Sequence, residues 1–119
     1  MDRVLAFIAQ HPGLFVTTGA DWFHSNWHVF EAFEQKALAV IAAGRDHYSA
    51  RTIVEILVHE SVVRETASNY KIGNHHAPDL ARAFVVLHPE HLDFFEYRRV
   101  NTTAFRQAIA ELQEFPYLW

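Results

Sequence analysis

The chain has 119 residues, half of them hydrophobic and none of them cysteine, with ten Lys+Arg against fourteen Asp+Glu for a net charge of −4. This length suits one domain over residues 1–119, and ten Phe, four Tyr and three Trp argue against disorder. The missing cysteine excludes disulfides, iron–sulfur clusters, thiol nucleophiles and cysteine-containing zinc sites, and the acidic balance excludes a general polyanion binder.

In chain order, Asp2 caps a short helix over Arg3 to Gln10, which Pro12 and Gly13 end. Leu14 to Thr18 reads as a strand or an extended connector, closed by Gly19. A second helix begins near Ser25 or Asn26 and runs to Ala43. Trp27, Phe30, Ala37, Val40 and Ile41 recur along it at helical spacing, and Gly44 stops it. Ser49 caps a third helix from Ala50 to about Ala67. Its middle is so apolar that the pattern predicts the central, most buried element.

Tyr70, Lys71 and Ile72 form a strand-like triplet ended by Gly73 and Asn74. Pro78 suits the first turn of a fourth helix, with Asp79 well placed beside the helix N-terminus and Pro89 as the stop. Phe94 to Val100 alternates as a strand, and a last helix from about Thr103 to Glu114 carries Phe105, Ala108, Ile109 and Leu112. An aromatic tail follows at 115–119. The expected fold is mainly α (α+β): five helices with a small two-stranded β element. No stretch approaches the ~20 apolar residues of a bilayer span, and no signal-peptide cleavage site follows the first residues. The expectation is a cytoplasmic protein with no membrane partner.

Nine histidines invite a metal reading. His24 and His28 are four apart, but a helix starts between them. His88 and His91 bracket Pro89 and are expected to point outward from a turn, while the adjacent His75 and His76 are expected to diverge. His59-Glu60 fails as a zinc-protease motif because position 63 is Val. A histidine and carboxylate metal protein is therefore a secondary reading with no ligand assigned. Gly-rich phosphate loops and nucleophile elbows are missing, and Glu31 with Glu34 reads as a solvated face, so no catalytic residue or cofactor is expected.

Helix, short strand, helix and strand across residues 49 to 99 match part of a winged-helix unit. In that arrangement Arg82 on the second helix would contact the groove of duplex DNA, and Arg51, Lys71, Arg98 and Arg99 would meet phosphates. Acidic residues interleaved through the same segment balance these cations. Trp22, Trp27, Tyr117 and Trp119 form a second candidate set, suited to a protein partner or a homodimer seam because aromatics are enriched at interface hot spots.

The run His47-Tyr48-Ser49-Ala50-Arg51-Thr52-Ile53-Val54-Glu55 resembles a segment of small phage- and prophage-encoded proteins. So do Tyr70 to Asn74, Ala77 to Arg82, His88-Pro89-Glu90, and Phe94-Phe95-Glu96 with Arg98. The similarity spans about residues 27 to 99. It implies a bacterial or phage cytoplasmic setting and no activity. In that setting two uses compete: a DNA-binding protein, and an interaction module or inhibitor acting on a host protein.

Overall fold

A computed structural model describes residues 1–15, 18–63, 72–95 and 102–114, with the side chains of 61–63 and 102 outside the description. Six α-helices appear: α1 (Asp2–Gln10), α2 (Ala20–Ser25), α3 (Trp27–Ala42), α4 (Ala50–Val63), α5 (Ala77–Leu87) and α6 (Thr102–Glu114). Short 3-10 turns cover Pro12–Leu14, Asn74–His76 and Pro89–His91. None of the helices among the described residues is long and apolar enough to cross a membrane.

The mainly helical expectation holds, with two differences. No strand occurs among the described residues. Leu14 belongs to a 3-10 turn begun by Pro12, Ile72 is irregular, and Phe94 and Phe95 are buried within a turn. Val16, Thr17, Tyr70, Lys71 and residues 96–100 lie outside the described residues. The second difference is α2, a sixth helix in a stretch after Gly19 to which the sequence pattern assigns no element. Asn26 separates it from α3 and serves both: its Nδ2 donates to the Trp22 carbonyl at 2.9 Å, and its own carbonyl accepts from the Val29 N–H at 2.9 Å.

Helix ends follow their sequence signals where those signals are local. Ser49 Oγ accepts the Thr52 N–H at 3.3 Å, the bond that makes serine a good N-cap. At the end of α3, Gly44 takes φ +93°, and the Gly44 and Arg45 N–H groups donate to the Ile41 and Val40 carbonyls. This is the Schellman arrangement, which glycine enters without steric cost. Asp2 does not cap α1. It is the first helical residue, where its charge favours the positive end of the helix dipole.

The most buried helix is α5, not α4. α4 buries Ile53, Val54 and Leu57 while Arg51, Glu55 and His59 stay exposed. In α5, Ala77 and every residue from Asp79 to Val86 are buried. Its alanines let neighbours approach closely, and α1 and α4 pack along it. Every described phenylalanine lies in the core, many in edge-to-face pairs: Phe7–Phe15 at 6.0 Å, Phe15–Phe23 at 6.1 Å, Phe23–Phe30 at 6.1 Å and Phe84–Phe95 at 5.6 Å. Such contacts suit the ring quadrupole and each adds about 0.5–1.5 kcal/mol beyond burial. On α6, Phe105, Ala108, Ile109 and Leu112 form the buried stripe that their spacing predicts.

Candidate functional site

Of the residues considered for DNA, Arg82 is placed where it cannot serve. Its side chain is 2% exposed, with Nη1 3.5 Å from Asp79 Oδ1 one turn back on α5 and the guanidinium carbon 5.8 Å from the Phe105 ring centre. A buried guanidinium held by a carboxylate joins α5 to α6 and is unavailable to a groove. The helix that a winged-helix unit would insert into DNA is thus the core of this fold. Arg51 is exposed at 69% and pairs with Glu55 at 3.4 Å along α4. Lys71, Arg98, Arg99, Tyr117 and Trp119 lie outside the described residues.

The other described cations with carboxylate neighbours follow the same pattern. Lys36 Nζ is 2.7 Å from Glu60 Oε1, linking α3 to α4, and Arg106 Nη1 is 2.7 Å from Asp93 Oδ1. Glu60 is thus placed toward α3, across the bundle.

Trp22 and Trp27 sit at the α2–α3 corner, both half-buried. Trp27 opens α3 and stacks on Phe30 at 4.6 Å. Trp22 meets Phe23 edge-on at 5.4 Å and stacks on His76 at 4.6 Å with the planes 25° apart. His76 is 8% exposed, and its Nδ1 is hydrogen-bonded to Thr18 Oγ1 at 2.8 Å. The corner therefore has an indole, an imidazole and a buried hydroxyl in one assembly, closed on its far side by the first turn of α5.

The histidines form two groups, neither as expected. His75 and His76 do not diverge: their ring centres are 4.0 Å apart. Burial first, and His75 second, hold His76 below the ordinary histidine value, against an opposing pull from Asp79. His88 and His91 do not point outward. Both are half-buried, with ring centres 4.6 and 6.2 Å from that of Phe84. His88 Nε2 lies 2.8 Å from Glu34 Oε2, which removes Glu34 from the solvated face assigned to it. Among the described residues no group of three or more His, Asp or Glu side chains is arranged to hold a metal ion. Thr18, His76 and Asp79 have the side-chain types of a nucleophile, base and acid, but Thr18 is 1% exposed and no substrate reaches it in this conformation.

Two open depressions lie among the described residues. One of about 460 Å³ lies between α4 and residues 72–74, floored by Val54, Val58 and Ile72 and edged by Glu55 and His59. The other, about 350 Å³, lies between the Pro12–Leu14 turn and α6, with His11 and Glu111 at its rim. Neither combines a buried polar group with an apolar floor, the usual mark of a small-molecule site.

No family model matches the chain, and no curated protein or solved structure is significantly similar to it.

Thr18 has no assigned role in the sequence pattern, and His76, Asp79 and Glu34 have other roles there than the contacts they make. The signal for two of them was local: in His76-Ala77-Pro78-Asp79, proline marks the first helical turn. It thereby places the histidine at the N-cap, three residues before the acid.

Proposed function

We propose that this is a non-enzymatic, cytoplasmic, phage- or prophage-type binding protein that takes a protein partner at the α2–α3 corner through Trp22 and Trp27. Tyr117 and Trp119, outside the described residues, are further candidates for contact with the same partner. The observation that carries the reading is the disposition of charge among the described residues: of their six Lys and Arg side chains, Lys36, Arg51, Arg82 and Arg106 each lie within 4.0 Å of a carboxylate. DNA affinity comes mainly from cations that neutralise phosphates. Cations already held by carboxylates must give up those partners first, so duplex DNA fits this surface less well. Two half-buried tryptophans at a helix corner suit a protein interface, where such residues supply most of the binding energy.

The test has two arms. Titration of a fluorescent duplex at low salt should leave its anisotropy unchanged; saturable, salt-sensitive binding would return the assignment to DNA. Immobilised wild-type protein should capture a host protein that the Trp22→Ala/Trp27→Ala double variant does not, with sedimentation showing whether the partner is a second copy of the chain.

A further inference from the structure

We propose that the 3-10 turn Asn74–His76 is a proton-operated cover over Trp22: on acidification the turn swings outward, withdraws the imidazole of His76 and bares the indole face beneath it. The proposal deepens the partner reading above by giving that site a regulation, and rests on it only for what the bared indole does.

The geometry singles out this turn as the part that gives. α2 is pinned by Phe23, fully buried between Phe15 and Phe30, and α5 is the core of the fold. Between them the turn is three residues long, and Asn74 and His75 are exposed. Its hydrogen bonds include the His76 N–H to the Gly73 carbonyl at 3.0 Å, the Ala77 N–H to the Asn74 carbonyl, and the His76–Thr18 contact at 2.8 Å. His76 is the only buried residue of the turn, and its ring covers one face of Trp22.

The charge environment sets the direction. His75 faces the ring from the same turn at 4.0 Å. α5 contributes Asp79, with Arg82 3.5 Å behind it. The α2 side contributes the Thr18 hydroxyl and the Trp22 indole. α4, along the other flank, brings Glu55 and His59 to the rim of the depression it shares with Ile72, Gly73 and Asn74. Burial and His75 together outweigh Asp79, so the covered site disfavours imidazolium. A conformation in which His76 is hydrated binds the proton more tightly, and by linkage its population grows as pH falls.

Acrylamide quenching of a Trp27→Phe/Trp119→Phe protein, whose remaining indole is Trp22, reads the cover directly. Between about pH 8 and about pH 5, which spans ordinary histidine titration, the quenching constant should rise about twofold or more while the helical circular dichroism is kept. In the same background His76→Asn, which keeps a hydrogen-bonding atom near the Nδ1 position, should remove the pH response. Hydrogen exchange of wild-type protein supplies a reading that needs no variant: the His76 amide should speed up on acidification, after correction for intrinsic rates, more than the amides of α5. Flat quenching, an unchanged response in His76→Asn, or uniform exchange across the turn and α5 would each overturn the proposal. The readout needs no partner, so failed capture of a host protein leaves the cover standing, and flat quenching leaves the partner reading standing.

Discussion

Glu34 on α3 and His88 at the C-terminal end of α5 meet at 2.8 Å across 54 residues of sequence, with the imidazole stacked on Phe84. His88 is also the C-cap of α5, its N–H donating to the Phe84 carbonyl at 2.8 Å. One residue thus ends the central helix with its backbone and fastens it to its neighbour with its side chain. His88→Ala should cost about 1–2 kcal/mol, the sum of a part-buried hydrogen bond and an aromatic contact. Glu34→Gln retains an acceptor at the same place and should cost less. Urea unfolding of both variants checks the order.

Arg82→Ala should behave as a core lesion. Removing the guanidinium leaves Asp79, itself fully buried, without its cation, and breaking a buried ion pair costs about 3–5 kcal/mol. Thermal and urea unfolding should show that loss whether or not any nucleic acid is present. A variant with unchanged stability would mean that Arg82 is not held in the core.

Gly44→Ala tests the end of α3. Space for a methyl group exists, since no atom lies within 4 Å of the added carbon, so the cost comes from the backbone at φ +93° alone. A destabilisation of about 1–2 kcal/mol is expected, measured by denaturant unfolding.

How far the chain could be read from its residues follows the range of each signal. The Ser49 cap, the Gly44 stop, Pro78 at the start of α5 and the stripe on α6 are local, and each stands where its residues place it. α2 escaped because six residues span fewer than two turns, too few to establish a period. Of Leu14 to Thr18, expected as a strand or an extended connector, Leu14 falls in the turn that Pro12 and Gly13 start, Phe15 is extended, and residues 16 and 17 lie outside the described residues. The apolar middle of α4 predicts the most buried element, yet α5 takes that place with Arg82 inside it. The acid three positions earlier, on the same face, is what lets the pair be buried. The contacts of His76 with Thr18 and of His88 with Glu34 join residues 58 and 54 apart, and no local pattern encodes them.

The buried histidine makes stability depend on pH. Folding holds His76 below its ordinary value, so the unfolded chain takes up the proton first as pH falls. This contribution is complete above ~6.5, the unfolded value, and is lost between there and the lower folded value. Below both it no longer changes. Unfolding free energies measured across this window should fall with acidification in wild type, and the slope should lessen in His76→Asn.

The proposed interface rests most heavily on Trp22 and Trp27, half-buried at one helix corner and backed by His76 and Phe30. The affinity of the captured host protein should be measured for wild type and for Trp22→Ala/Trp27→Ala, with the helical signal of both recorded alongside. Loss of two hot-spot aromatics should weaken binding about 30-fold or more, the equivalent of at least ~2 kcal/mol. Equal affinities in two folded proteins would contradict an interface at this corner.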